Sequence, residues 1–256
     1  MTGYSGDSAM DPKLGNLVAP VPTIARTNIA LYKQLHAAGW DAVHLTEVRD
    51  SYEFATKLFV GHCRASGKPF LTHLVGTASI LAALGADPVT VKAGLLHAAY
   101  DQGDFGITRW RNRRVRVRRA IGDSAEAIVW RYQEVGWSET TIARMRDGLD
   151  TLRTIDRTVL LMRLANELDD NLDLEMRYCH SAKDQDREHR GTMVAMAHAL
   201  HQPALAHAFN EAYREADNGS WADSLSLNRK ASYQLASPFG FRLLRLTRAA
   251  IDALWR

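Results

Sequence analysis

The sequence predicts an all-α fold, and three observations carry that prediction. Apolar residues recur at helical spacing in one segment after another, so each segment has one face to bury. Gly and Pro fall between those segments as punctuation rather than inside them. Strand-like alternation of useful length is absent, as are a Gly-rich nucleotide loop, a G-x-S-x-G elbow and any internal repeat.

Residues 1–22 are rich in Gly, Ser, Asp and Pro without periodicity, which marks a tail. From Thr23 a helix is expected to turn Ile24, Ile29, Leu31 and Leu35 inward and to stop near Gly39. A second covers about 42–64 and includes Leu45, Val48, Tyr52, Phe54 and Phe59. After the break at Gly67–Pro69, His73 opens a helix that ends at Gly85. Asp87 before Pro88 is an N-cap followed by a proline at the first helical position, a well-formed start for the next helix.

Arg109–Arg119, RWRNRRVRVRR, holds seven arginines in eleven residues and no acid. Trp110, Val117 and Ile121 can dock while the arginines fan into solvent; the second reading is a clamp for phosphate or an acidic partner. Gly122-Asp123 starts a helix through Ile128, Val129 and Tyr132. Ser138–Leu152 reads as a polar, basic helix with a weak cap at Ser138-x-x-Thr141. Ile155–Leu174 is a strong helix with Val159, Leu161, Met162, Leu164 and Leu168 toward the core. Further on, His198 and His201 share a helix face, with His180, His189 and His207 nearby. Without a carboxylate or cysteine at metal-ligand spacing, a solvated histidine-bearing helix is the better reading. Pro203 interrupts that segment, Asn218-Gly219 makes a turn, and an amphipathic helix ends in Trp255.

At 46% hydrophobic and 24% charged residues the chain is globular, neither disordered nor fibrous. A net charge of +3 is too small to argue for nucleic acid. Cys63 and Cys179 suit a thiol-reducing compartment better than a disulfide framework. No apolar run reaches the roughly 18 residues of a membrane span, and no secretory signal is visible. A cytoplasmic protein is expected, with no membrane partner; a homo-oligomer stays open.

The chemistry concentrates in Val91–Asp104, VKAGLLHAAYDQGD. Val91, Leu95 and Tyr100 lie near one stripe, and the alanines and Leu96 make most of the remainder apolar. A histidine in a helix so poor in polar surface needs a hydrogen-bond partner or a ligand. Asp101 follows His97 by one turn, so both are expected on one face: the start of a metal site or of an acid/base pair.

Around it lie Arg64-Ala-Ser-Gly-Lys-Pro-Phe-Leu-Thr-His73 upstream and Arg163-Leu-Ala-Asn-Glu-Leu-Asp-Asp170 downstream. This order resembles the HD-domain phosphohydrolases. It is most similar to the branch that hydrolyses (p)ppGpp, the SpoT/RelA hydrolase domains and their stand-alone animal relatives. That branch reads R-x-x-G-x-P-[YF]-[IL]-x-H, then L-L-H-D-x-x-E-D, then K-L-A-D-R-L-x-N. The likeness runs from about residue 52 to 171. It implies an HD-like helical bundle over 23–178, preceded by the tail and followed by a C-terminal helical extension, 179–256, packed on it. It also implies a pocket with Arg64 at the rim, and Lys68, Arg163, Asn166, Asp170 and Tyr100 on the substrate side.

In that family a His, the His-Asp doublet and the Asp of K-L-A-D hold one divalent metal. The corresponding positions here are His73, His97, Ala98 and Asn166, so both carboxylates are gone. The acidic pair that positions the attacking water becomes Asp101 and Gln102. Two imidazoles and an amide carry no negative charge against a divalent ion. No cofactor is therefore expected, and His73 and His97 are residual ligand positions. The favoured expectation is an HD-like binder of a phosphorylated or other small ligand without metal-dependent hydrolysis. The alternative is an enzyme: either a hydrolase with a reduced ligand set holding manganese, iron or zinc, or a metal-free catalyst using His97, Asp101 and His73 as acid and base.

Overall fold

The computed structural model describes residues 23–106, 110–148, 153–174, 178–179, 187–219, 222–225 and 231–235. The expected tail, Arg109, His180 and the expected last helix lie outside these.

Helix α1 (Asn28–Ala37) starts later than Thr23, because the Thr27 hydroxyl accepts from the Ala30 N–H and caps it there. Leu31 and Leu35 are fully buried, whereas Ile29 is exposed, against expectation. Helix α2 (Ala42–Phe59) is capped by Asp41. It ends short of Arg64 because Gly61 takes a positive φ and the chain is drawn into a short strand, β1 (His62–Cys63). Its partner, which the sequence pattern did not reveal, is β2 (Tyr233–Gln234), paired antiparallel from far along the chain.

Helix α3 (Phe70–Ala83) is the centre of the bundle and is buried along most of its length, from Phe70 through Leu81. It packs against α1, against α4 (Pro88–Leu96) and against α9 (Thr154–Leu172), while α4 packs on α2 and on α7 (Asp123–Val135). Gly76 makes the α3–α9 approach feasible: a Cβ there would overlap the Asp169 carboxylate. The apolar helix expected through Asp104 is broken. Helix α4 is capped at its C-terminus by His97, and a single turn, α5 (Ala99–Gln102), follows. The Gly94 carbonyl accepts from the His97 ring at 2.8 Å, which ties the imidazole to its own helix end.

In α6 (Trp110–Ile121), Val117 and Ile121 are buried as expected. The arginines do not simply fan outward. Arg114 and Arg118 both bind Glu126 on α7, and Arg113 and Arg116 lie over the Phe105 ring. Burial pushes the Glu126 carboxyl up, but hydrogen bonds from Arg114, Tyr100 and Arg118 overcome it and hold it below its ordinary value. The acid absent from the run is thus supplied by the next helix.

Ser138 caps α8 (Glu139–Asp147). The pair α10 (Arg187–Ala199) and α11 (Pro203–Asn218) packs on α9, with Met193, Met196, Leu205 and Phe209 fully buried. His198, His201 and His207 are exposed. Cys63 and Cys179 are both buried. Among the described residues no helix is long and apolar enough to cross a membrane.

Candidate functional site

Three helices and one turn assemble the site. Helix α3 supplies His73, the end of α4 supplies His97, and α9 supplies Arg163, Asn166, Asp169 and Asp170. The turn 64–69 supplies Arg64 and Lys68. It closes through Arg64 N–H to the Lys68 carbonyl and Gly67 N–H to the Arg64 carbonyl, both 2.9 Å. Gly67 sits at φ +95, where a side chain would be strained.

His73 is fully buried, and its Nδ1 donates to Asp169 Oδ2 at 2.8 Å. Asp169 also receives Lys68 Nζ at 2.6 Å and the Arg26 guanidinium. Burial pushes the Asp169 carboxyl up, but the hydrogen bond from His73 and the charges of His73, Lys68 and Arg26 outweigh it and hold the group far below the carboxylate range. With Nδ1 so committed, His73 Nε2 faces three neighbours: His97 Nε2 at 3.3 Å, Asn166 Oδ1 at 3.0 Å and Arg64 at 3.4 Å. Burial, then the nearby His73, keeps the His97 imidazole well below its ordinary pKa and therefore neutral at pH 7. Because His97 donates from Nδ1 to Gly94, its Nε2 carries a lone pair. Two imidazole nitrogens and an amide oxygen thus converge, an arrangement that a shared proton or a cation satisfies.

His97, Asn166, Asp101 and Ala98 line a cavity of about 240 Å³, together with Arg64, Arg163 and Asp170. His73 lies directly behind it. Sequence reading missed the Tyr132 ring and Ser232 in this wall. It also missed Asp169, although a signal existed: Met162, Ala165, Asp169 and Leu172 follow helical spacing, so an acid stands in an apolar stripe.

Several expected roles need correction. His97 and Asp101 do not form the expected pair: His97 is spent on Gly94 and His73, and Asp101 stands exposed at the mouth. Tyr100 turns away from the cavity and donates to Glu126 at 2.7 Å. Lys68 faces Asp169 and Asp173, not the cavity, because two carboxylates already hold its ammonium. Arg64 is no free rim cation, since it pairs with Asp170 at 2.5 Å and lies over Phe70. Arg163 is different. It is 8% exposed, stacks 3.4 Å from the Tyr132 ring centroid and donates to the Tyr132 carbonyl at 2.6 Å. Its buried Nε has no hydrogen-bond partner, and it makes no ion pair among the described residues.

A group of ligand atoms from His73, Asp169 and Asp170, all within 4.8 Å of one another, also suggests a metal. The charges argue otherwise, because Lys68, Arg26 and Arg64 already neutralise both carboxylates.

The family described as "Domain of unknown function (DUF6817)" matches residues 54–136. A GTP pyrophosphokinase of Streptomyces coelicolor is 29% identical over 161 residues, 62% of this chain but 18% of that protein. The bifunctional (p)ppGpp synthase/hydrolase RelA of Mycobacterium tuberculosis is 36% identical over 63 residues, 25% of this chain and 8% of its own length. The chain therefore spans less than a fifth of these curated relatives. A solved chain described as a metazoan orthologue of SpoT that hydrolyses ppGpp covers 66% of this chain and 94% of itself, at a TM-score of 0.47 and 15% identity. At that distance it adds nothing to the sequence matches. Those matches, with the motifs at Arg64–His73 and Arg163–Asp170, make this chain a relative of the HD-type domain of the SpoT/RelA proteins.

Proposed function

We propose that the chain binds a phosphorylated small molecule in the His97–Arg163 cavity and does not hydrolyse it with a metal. The observation that carries this reading is Arg163. An arginine more than nine-tenths buried, in no ion pair among the described residues and with an unpartnered Nε, leaves a cation on the cavity wall, its charge reaching Asp101 and Glu167 without a direct contact. Such a group is expensive to hold unless an anion completes it. A guanidinium suits the planar, two-point recognition of a phosphate. The relatives' names supply a first candidate, a guanine nucleotide bearing pyrophosphate groups.

A divalent metal, as the resemblance implies, would meet two conditions here, spacing and charge. Spacing is permissive: two imidazoles bound about 2.1 Å from one ion at a tetrahedral angle stand roughly 3.4 Å apart, and His73 and His97 are 3.3 Å apart. Charge is not. Ala98 has no donor, Asn166 offers a neutral oxygen, and Asp169 and Asp170 are engaged by cations. A hard divalent ion would leave water for three neutral donors, which does not fit.

The test is a thermal shift with ppGpp, GDP and pyrophosphate, with released phosphate measured in parallel. The reading expects stabilisation by mass action without turnover. Arg163→Met should abolish the shift while changing the unliganded melting temperature little, because the lost Tyr132 contacts and the lost pull on Glu167 are offset by removing a buried charge that has no ion-pair partner among the described residues. A panel of phosphorylated compounds that gives no shift would sink the reading. A second reading has its own observation: the Asp169–His73–His97 chain ends in a neutral imidazole on the cavity wall, the form a general base takes. Product formed by the wild type and lost in His97→Gln would establish it.

A further inference from the structure

We infer that the segment Ala231–Leu235 is a latch: a detachable wall of the cavity that also holds the Arg64 turn in place. The ligand-independent part of this stands on geometry alone, while its effect on affinity rests on the anion-binding reading above.

Ser232 lines the cavity, although every other lining residue comes from 64–170. Directly after it, Tyr233 and Gln234 pair with Cys63 and His62. The Leu235 N–H then donates to the Gly61 carbonyl at 2.8 Å. This ladder is backed by Tyr233, which is half-buried, and by little apolar burial of the segment's other side chains. All its residues but Tyr233 are exposed, and Leu235 is 72% exposed. A two-residue pairing with so little buried apolar surface belongs to the part of a protein that opens locally, well below the threshold for global unfolding.

What the segment holds matters more than how weakly it is held. Strand β1 lies between two neighbours, β2 on one side and Pro69 on the other, through a bridge from Cys63. Arg64 follows β1 immediately. Tyr233 leans on the same turn, its hydroxyl 3.6 Å from where a Gly67 side chain would begin. Peeling β2 away therefore removes Ser232 from the wall and unpairs the strand that fixes Arg64. A ligand touching both Arg64 and Ser232 favours the closed state, and by reciprocity the closed state holds that ligand more tightly.

The experiment is hydrogen exchange on the full chain, wild type and Leu235→Pro. The proline deletes the donor to Gly61 at an exposed position. In the wild type, amides of 233–235 should exchange at least about tenfold faster than those of α3 and α9. In Leu235→Pro, protection should fall at 61–67 as well as at 233–235, with α3 and α9 unchanged. Unaltered protection at 61–67 overturns the latch, as does core-like protection of the strap. If Leu235→Pro melts far below the wild type, Tyr233→Ala makes the same comparison by removing the contact with Gly67. With pyrophosphate as probe, binding should protect 231–235 and be weakened at least about fivefold by Leu235→Pro. Should pyrophosphate fail to bind the wild type, the anion reading falls while the exchange of the free protein still judges the latch.

Discussion

Asp169→Asn isolates the charge that the site is built upon. Asparagine keeps the shape and an oxygen to accept the His73 Nδ1 proton, so the imidazole stays oriented. The negative charge goes. Lys68, whose side chain is 10% exposed, then keeps the Asp169 carbonyl and, as its carboxylate, Asp173, which is itself 41% exposed, and Arg26 keeps Asp173 too. Removing one member of a buried ion pair costs about 3–5 kcal/mol because the other charge is left uncompensated. The surviving Asp173 contacts place the expectation near the lower end, about 3 kcal/mol, or roughly 6–12 °C in melting temperature. The effect has a definite pH dependence. The folded carboxyl is depressed, so its contribution is present above the unfolded pKa of about 3.9 and is lost as pH falls toward the folded value. Urea unfolding at pH 7 should therefore show the full gap between wild type and variant, and the gap should narrow below about pH 4. Adding Lys68→Met should recover part of the loss, since the stranded ammonium is its source. A loss under about 1 kcal/mol at pH 7, or a gap that does not narrow in acid, would refute the reasoning.

Three further outcomes are expected. Elemental analysis of the purified chain should find no stoichiometric manganese, iron or zinc, and Ala98→Asp with Asn166→Asp should raise manganese affinity by adding two anionic oxygens; near one metal per wild-type chain would restore the hydrolase reading. Tyr100→Phe should lower stability by about 1–2 kcal/mol, since it strips a hydrogen bond from the buried Glu126, yet leave the thermal shift with phosphorylated ligands intact. Burial, then the charge of Asp170, pushes the Glu167 carboxyl up to about 7 against the pull of Arg64, Arg163 and Trp137. A raised carboxyl stabilises the fold below its unfolded pKa of about 4.3, and that contribution is lost as pH rises toward 7. Glu167→Gln should flatten this decline in urea midpoints between about pH 4.5 and 7.5; a decline retained in full would show that another group causes it.

The sequence by itself determined what neighbouring residues decide together. Helical spacing and the caps at Asp87-Pro88 and Ser138 gave the helices, because period and capping are local properties. The Arg64–His73 motif located the turn and the first histidine, since Gly67 and Pro69 impose their own backbone. Helix ends were less legible: Thr27, Gly61 and the Gly94–His97 bond reset three of them through contacts that spacing does not encode. Partnership was decided only by the tertiary structure. His73 and Asp169 stand 96 residues apart in the chain, and nothing local says that Gly76 lets them meet. The same holds for Lys68 and Arg64, which read as free cations until α9 presents Asp169 and Asp170 to them. It holds again for Arg114 and Arg118, which read as a solvated run until α7 brings Glu126, and for Ser232, which reaches the cavity because two short strands pair. A charge's role depends on what burial sets beside it, and that is a property of the packed molecule rather than of the chain.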